Sequence, residues 1–170
     1  SPDERAALFD RDAGVAAAVR TCGGHVVEPA AAELILAVDD PAVLSLADEP
    51  PAEPVLPITP GGNAHTVARD SIRSTLATVF ADKYQTDPHP VLSLSIGGDH
   101  VARAVKDTMV MTAEPARISE YGIDTDTGHE ERFRADGVVV ATPLGSEGYA
   151  NAAGGPTVET GAGLSVVPLS

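Results

Sequence analysis

The sequence is poor in cysteine, in closely spaced histidines and in long apolar runs, and each shortage excludes a class of protein. Cys22 is the single cysteine among 170 residues, which excludes an intrachain disulfide and a zinc site built from cysteines. The five histidines are scattered along the chain, so we expect no metal site. No apolar stretch reaches membrane-spanning length, and no secretory signal pattern is present. We therefore expect a cytoplasmic protein without a membrane partner.

Basic residues are also scarce. Only Lys83 and Lys106 are lysines, and the formal net charge is −14. A protein that binds nucleic acid needs a basic stripe to contact phosphates, so nucleic-acid partners are excluded. The acidic residues are spread along the chain, which indicates a solvated acidic surface. This charge predicts a salt-rich source, where counterions screen the mutual repulsion of the carboxylates.

The first half of the chain alternates strand and helix patterns. Short apolar runs are typical of buried parallel strands, and apolar residues at helical spacing are typical of helices packed on them. The predicted elements are strands at 25–27, 34–38 and 55–58 and helices at 4–21, 42–47 and 64–82. No strand is predicted before the first helix. The alternation predicts an α/β domain over residues 1–88.

The second half has the patterns of antiparallel β-structure. Residues 91–96 alternate apolar residues with serine, and Gly97 and Gly98 form the pair that a tight hairpin turn prefers. A Gly-Gly-Asp sequence also forms the phosphate grip of several kinases, but a helix should follow such a grip. Strand-like residues follow here and form the returning arm through 101–112, so the hairpin is favoured, with Asp99 on the surface. Further strands are predicted at 117–124, 130–134, 138–142 and 164–169, in a mainly antiparallel β-domain over residues 89–170.

Glycine and proline punctuate residues 137–156, GVVVATPLGSEGYANAAGGP. The run 138–140 has no polar alternation, so both faces of this strand are expected to be buried. Gly145 and Ser146 are expected to open one short helix whose free N–H groups can face an anion or a ribose hydroxyl. Gly154 and Gly155 would let a ligand approach the backbone closely. An ordinary strand–turn–helix connection is the alternative, and the residues alone leave the two equally balanced.

The segment 134–156 resembles the C-terminal signature of the NAD kinase family. In that signature a strand after Asp-Gly runs into Thr-Pro-x-Gly-Ser-x-x-Tyr-x-x-x-x-Gly-Gly-Pro. The matching positions are Asp136, Gly137, Thr142, Pro143, Gly145, Ser146, Tyr149, Gly154, Gly155 and Pro156. Upstream, 104–121 is similar to the segment where the family has an acidic residue before a strand, and Asp107 falls on that position. The resemblance extends back to about residue 60 and is looser before it.

The resemblance implies an NAD kinase-like fold and a phosphotransferase. The reaction would move a phosphate from ATP or polyphosphate, with Mg²⁺, to the 2′-hydroxyl of the adenosine ribose of NAD, giving NADP. The residues that would bind the dinucleotide are Asp107, Asp136, Gly145, Ser146 and Tyr149, with Asp136 and Tyr149 near its nicotinamide half.

Assembly is also implied. Family members are homo-oligomers whose sites borrow residues from a neighbouring subunit, so we expect a dimer or tetramer. The apolar strands at 138–140 and 164–167 would need cover, which favours assembly as well. The family would continue with further strands after Ser170, which implies a β-domain truncated at its C-terminus.

The catalytic carboxylate of the family belongs to a Gly-Gly-Asp-Gly-Thr loop, and this sequence has VDDPA at 38–42 in that register. Asp40 falls on the carboxylate position, which would make it the base that activates the attacking hydroxyl. The glycines are replaced and Pro41 has no N–H, so an alternative is that Asp40 only caps the following helix. The alternative function is a catalytically degenerate dinucleotide-binding protein that acts as a sensor or regulatory subunit.

Overall fold

A computed structural model describes residues 5–8, 12–114 and 117–170. The chain divides into two compact units, Ser1–Pro88 and His89–Ser170. The first unit holds a parallel sheet with helices, and the second consists mainly of antiparallel strands. The predicted fold class, α/β followed by antiparallel β, is therefore confirmed.

The sheet of the first unit has five strands, all parallel, in the order β2-β1-β3-β4-β5. Their bounds are Arg5–Leu8 (β1), His25–Val26 (β2), Leu34–Val38 (β3), Val55–Thr59 (β4) and Val67–Ala68 (β5). All five side chains of β3 are buried, as expected for the middle strand of a sheet covered on both faces. The three strands predicted in this half are confirmed.

Three α-helices cover the two faces of this sheet. Their bounds are Ala13–Thr21 (α1), Asp39–Ser45 (α2) and Ile72–Val79 (α3). One core cluster joins α1 and α3 to the sheet through Val19, Leu36 and Leu76. Val43 of α2 is buried outside this cluster, on the side of β3 to which Ile35 points, because side chains alternate along a strand. None of the helices in the described ranges is long and apolar enough to cross a membrane.

Two predicted helices are wrong in part. Residues 4–21 were expected to be helical throughout, with no opening strand, but Arg5–Leu8 is a strand and the helix begins at Ala13. Alanine-rich residues have little preference for strands, and β1 forms because it pairs between β2 and β3. Residues 64–82 are helical only over Ile72–Val79, because the preceding residues pair with β4 as β5 and turn once as a 3₁₀ helix.

The second unit contains two hairpins and a three-stranded sheet. The hairpins are Leu92–Ile96 (β6) with Asp99–Ala104 (β7), and Ser119–Asp124 (β9) with Glu130–Ala135 (β10). The sheet has the antiparallel order β12-β11-β8, with bounds Asp107–Met111 (β8), Gly137–Ala141 (β11) and Ser165–Leu169 (β12). Gly97 and Gly98 both have positive φ, 62° and 96°, as a hairpin turn of this type requires. The hairpin and its turn are confirmed, but the second arm ends at Ala104 and does not continue to residue 112, because residues 107–111 pair with β11 as β8.

Strand β11 lies in the centre of this sheet. Val139 and Ala141 are fully buried and pack with Val167, Leu169 and Ala150. Residues 138–140 therefore form no open edge, which corrects the expectation that they need further cover. The exposed apolar residues lie instead on the flanking strands, with Val110 and Met111 of β8 among them.

Candidate functional site

The strand order of the first unit indicates where a ligand would bind. In the order β2-β1-β3-β4-β5 the chain direction across the sheet reverses between β1 and β3. Open α/β sheets bind ligands in the crevice beyond the carboxyl ends of the strands, at such a reversal. Strand β1 ends at Leu8 and β3 ends at Val38. The residues that follow β3 are Asp39 and Asp40, so the predicted base lies at this crevice.

The turn after β3 has an unusual backbone. Helix α2 is assigned from Asp39, which places Asp40 at the start of its first turn. Asp39 has a φ of 65°, a left-handed value that is uncommon for any residue except glycine. Asp40 itself is exposed. The alternative that Asp40 only caps the helix therefore stays a prediction.

Arg69 joins two carboxylates at the same crevice. Its Nη2 lies 2.7 Å from Oδ2 of Asp39, and its Nη1 donates to Oδ2 of Asp12. Asp12 caps α1 by accepting the N–H of Val15 at 2.8 Å. The hydrogen bond from Arg69, and then that from Val15, lower the pKa of Asp12. The stability from this lowered pKa is present at neutral pH and is lost as the pH falls through the folded-state value.

In the second unit, Thr142 organises the loop that follows β11. Its hydroxyl shares its one proton between the carbonyl oxygens of Val105 and Lys106, at 2.7 and 2.9 Å, and accepts the N–H of Gly145 at 3.2 Å. Its backbone N–H also donates to the oxygen of Lys106, at 2.8 Å. Thr142 is thus the N-cap of Pro143–Ser146 (α4). A second helical turn, Tyr149–Ala152 (α5), follows, so two short helices stand where one was predicted.

The glycines of this loop let protein backbone approach protein backbone. A Cβ on Gly145 would lie 2.1 Å from the oxygen of Lys106, and a Cβ on Gly155 would lie 2.4 Å from Cγ2 of Val167. Gly154 has a φ of 92° and no atom within 4 Å of an added Cβ, so it is needed for the turn. The sequence suggested that these glycines let a ligand come close to the backbone. At Gly145 and Gly155 another part of the protein chain occupies that space instead.

The hydrogen-bonding groups of Ser146 and the N–H of Gly145 already have partners within the loop. The N–H of Gly145 binds the Thr142 hydroxyl, and the N–H of Ser146 donates to the Thr142 carbonyl at 2.8 Å. The Ser146 hydroxyl donates to the Pro143 oxygen and accepts the N–H of Val158, each at 2.8 Å. The expectation that these two N–H groups are free to face an anion is wrong, because helix closure and the cap use them.

Asp107 is the first residue of β8 and pairs with Ala141, the last residue of β11. The Thr142–Ser146 segment therefore begins beside it, with Gly145 against the neighbouring Lys106. Burial raises the pKa of Asp107, and the charge of Lys106 opposes this rise. A half-buried carboxylate at the mouth of a loop is a candidate for ligand binding, because a bound hydroxyl or cation would relieve its desolvation.

We expect Asp107→Asn to stabilise the fold at neutral pH. The raised folded-state pKa means that the ionised carboxylate disfavours the folded state, by less than about 1 kcal/mol for a half-exposed group. This cost is full above the folded-state pKa and disappears as the pH falls toward the unfolded value. Urea unfolding of both proteins should show the gain at pH 7 and none near pH 3. An Asn variant that is less stable at pH 7 would contradict the assigned desolvation.

Asp136 lies at the other end of β11 from Asp107. It precedes Gly137, whereas Asp107 pairs with Ala141. At about 3.4 Å per residue the backbone positions of the two aspartates are separated by about 17 Å along the strand. Tyr149 is 52% exposed at the start of α5. Within the second unit, Gly145, Ser146 and Asp107 are therefore brought together and Asp136 is not.

The sequence analysis gave no structural role to two residues that support the loop. Thr142 could have been identified, because threonine before proline is a common N-cap and first-turn pair. His89 could not, because it lies far from the loop in sequence. Its Nε2 is 3.1 Å from the Val105 oxygen and 3.2 Å from the Thr142 hydroxyl. A carbonyl oxygen only accepts hydrogen bonds, so Nε2 carries the proton.

Comparison with known proteins relates both units to one family. Residues 105–169 match the model of the ATP-NAD kinase C-terminal domain. The NAD kinase of Methanospirillum hungatei is 37% identical over 91 residues, which cover 50% of this chain and 34% of that protein. The NAD kinase of Methanocorpusculum labreanum is 32% identical over 120 residues, covering 69% of this chain and 44% of that protein. The chain thus spans less than half the length of these curated relatives.

Solved structures share the fold of the whole chain. A crystal structure of an NAD kinase from Archaeoglobus fulgidus in complex with ATP superposes with a TM-score of 0.71 at 22% identity, covering 99% of this chain and 72% of that one. Yeast NADH kinase complexed with NADH superposes with a TM-score of 0.65 at 14% identity, covering 99% and 66%. The matched C-terminal domain and the relatives agree: residues 105–169 belong to the NAD kinase family, and the whole chain shares the fold of the solved members.

Proposed function

We propose that this chain is an NAD kinase that transfers a phosphate from ATP or polyphosphate to the 2′-hydroxyl of the adenosine ribose of NAD, forming NADP. The observation that carries the proposal is the exposed carboxylate of Asp40 at the carboxyl end of β3, beside the reversal point of the parallel sheet. Ligands of open α/β sheets bind there. The type of reaction follows from the family.

Asp40 acts as the general base in this proposal. Its carboxylate accepts the proton of the ribose 2′-hydroxyl while the hydroxyl oxygen bonds to the terminal phosphorus of the donor. The bond between that phosphorus and the bridging oxygen breaks, and ADP or a shortened polyphosphate leaves with the bonding electrons. An exposed carboxylate suits this role, because a hydroxyl can reach it from solvent.

Magnesium enters this scheme as part of the phosphate donor. Mg²⁺ usually keeps several waters and is bound by one or two carboxylates together with substrate phosphates. The described residues contain no group of three or more side chains that could hold a metal ion by themselves. This fits a metal carried mainly by the phosphates, whose charge it neutralises. Asp40 is the exposed carboxylate at this edge that could add a protein ligand.

The second unit supplies dinucleotide binding in this proposal. Asp107, with its raised pKa, is the carboxylate that a ribose hydroxyl would satisfy, and Tyr149 offers an exposed ring on which an aromatic base can stack. Gly145 and Ser146 contribute by shaping the loop beside Asp107. Asp136 binds the nicotinamide half from the far end of β11.

The direct test measures NADP formation by the protein with NAD and either ATP or polyphosphate, in molar KCl because the acidic charge suits a salt-rich medium. Calorimetric titration with NAD is run in parallel. NADP formation with either donor supports the proposal. Binding of NAD without any NADP formation would instead support a sensor or regulatory subunit, and the absence of both would remove NAD from the scheme.

We also propose that the protein is a homo-oligomer in which one subunit supplies Asp107 and another supplies Asp136. The separation of about 17 Å along β11 supports this division. The exposed Val110 and Met111 on the edge strand β8 offer apolar area for a second copy, because an unpaired strand edge favours association.

Mixing two inactive variants tests the shared site. Asp107→Asn and Asp136→Asn should each lose most NADP formation when studied alone. In mixed dimers, half of the dimers carry both variants and half of their sites are intact, so about a quarter of the wild-type rate should return. Light scattering in molar salt measures the assembly. A monomer mass would refute the oligomer, and an oligomer without recovered activity would refute the shared site.

A further inference from the structure

The turn that carries Asp40 is strained. Asp39 has a φ of 65°, in the left-handed region that costs free energy for every residue except glycine. Its Oδ1 is buried and has no hydrogen-bond partner among the described residues, which adds a desolvation cost. Two unfavourable features meet at the residue before the proposed base. Such a conformation persists only where neighbouring groups hold it.

Arg69 is the neighbour that holds this turn. One arm of its guanidinium bonds Oδ2 of Asp39 at 2.7 Å, and the other bonds the carboxylate of Asp12. Asp12 is itself fixed as the N-cap of α1 through the N–H of Val15. The planar guanidinium fork therefore ties the start of α2 to the start of α1, on both sides of the crevice. Lysine, with a single charged point, has no equivalent geometry.

The backbone of Arg69 is anchored as well. It directly follows β5, whose Ala68 pairs with Thr59 of β4. Gly62 packs against the same strand so closely that a Cβ there would lie 2.5 Å from the N of Ala68. Arg69 then begins the 3₁₀ turn that leads into α3. The guanidinium therefore reaches Asp39 from a backbone position that follows directly on the pairing of β5 with β4.

We propose that Arg69 is a positioning residue for Asp40: it holds Asp39 in the left-handed turn and so sets where the Asp40 carboxylate lies. This inference rests on the proposed function, since Asp40 is taken as the base. In the register of the family loop a glycine corresponds to Asp39, and glycine adopts a left-handed φ without cost. Here an aspartate held by an arginine takes the place of that glycine, which explains how the turn survives the loss of the loop's glycines.

A double-mutant cycle tests the proposal. In the wild-type background, Arg69→Met keeps most of the apolar stem and removes the fork. We expect kcat for NADP formation to fall at least about tenfold, since a small misplacement of a reacting group has a large effect on rate. KM for NAD should change little. The equilibrium constant for unfolding should rise about tenfold, because Asp39 and Asp12 both lose their arginine partner.

In the Asp39→Gly background the same change should matter far less. Glycine needs no arginine to adopt the left-handed φ, so Arg69→Met should lower kcat less than about threefold there. Asp39→Gly alone should leave kcat within about threefold of the wild type. Arg73→Met is the matched control, since Arg73 is an exposed arginine of α3. It should change neither kcat nor stability.

The outcomes separate the two proposals. An equal loss of kcat from Arg69→Met in both backgrounds, or a loss of stability with no change in kcat, would overturn the positioning role. If the wild type forms no NADP, the proposed function fails. The role of Arg69 at the turn is then decided by urea unfolding alone. Arg69→Met also removes the bond to Asp12, so some destabilisation is expected in both backgrounds. Equal destabilisation in the wild-type and Asp39→Gly backgrounds would refute the role at Asp39, and a larger destabilisation in the wild-type background would support it.

Discussion

Replacing Asp40 with asparagine is expected to reduce NADP formation by about 10²- to 10⁴-fold, the range contributed by a general base. Asparagine has nearly the same shape as aspartate but cannot accept the proton of the 2′-hydroxyl. Asp40 is exposed at the second position of α2, so the free energy of unfolding should change by less than about 0.5 kcal/mol. Initial rates at saturating NAD, with urea unfolding of the same samples, measure both quantities.

Asp48→Asn is the matched control for this variant. Asp48 is also exposed and follows the same helix, so its substitution removes an equal charge at a different point. Its NADP formation should equal that of the wild type. A large loss in both variants would indicate a general effect of charge on the acidic surface. Full activity of Asp40→Asn would exclude Asp40 as the base and require another proton acceptor.

Replacing Gly145 with alanine is expected to destabilise the second unit by about 3 kcal/mol, the upper part of the range for overpacked sites. The added Cβ would lie 2.1 Å from the oxygen of Lys106 and 2.4 Å from its carbonyl carbon. These are backbone atoms, so a change of rotamer cannot relieve the clash. Their movement would also disturb both hydrogen bonds that Thr142 makes to Lys106. Urea unfolding gives the loss, and NAD affinity should fall with it.

Gly122→Ala provides the comparison. Gly122 lies in β9, and a Cβ there would meet no atom within 4 Å, so stability should change by less than about 0.5 kcal/mol. If Gly145→Ala is as stable as Gly122→Ala but no longer binds NAD, the glycine would be required by the ligand. Equal stability with NAD binding intact would contradict the close contact with Lys106. Loss of stability in Gly145→Ala alone would support the packing role.

Local patterns were sufficient where a short stretch carried its own signal. The unbroken apolar runs at 34–38 and 138–140 predicted the strands β3 and β11, because burial on both faces leaves no room for polar alternation. Gly97 and Gly98 predicted a hairpin, because both positions of that turn need positive φ. The resemblance in 134–156 identified the family from residues close together in sequence. All of these signals depend on neighbours within one element.

Contacts distant in sequence required the tertiary structure. Strand β1 is rich in alanine and forms only because β2 and β3 flank it, and β5 replaces a predicted helix because it pairs with β4. Gly145 resembled a ligand-binding glycine until its contact with Lys106 was known.

At the crevice of the first unit, too, the sequence predicted one part of the site and the tertiary structure was needed for the other. From its sequence alone, Asp40 could be predicted as a carboxylate after a buried strand. Arg69 joins Asp39 and Asp12, which are separated from it by 30 and 57 residues. No pattern in the sequence indicates this pairing. The start of α1, the start of α2 and the turn after β5 must first fold against one sheet before these side chains meet. An ion pair of this kind depends on where the backbone holds each side chain, and the order of the residues does not reveal it. The sequence by itself therefore determined the family, the buried strands and the candidate base, and the tertiary structure decided how the turn that carries this base is held.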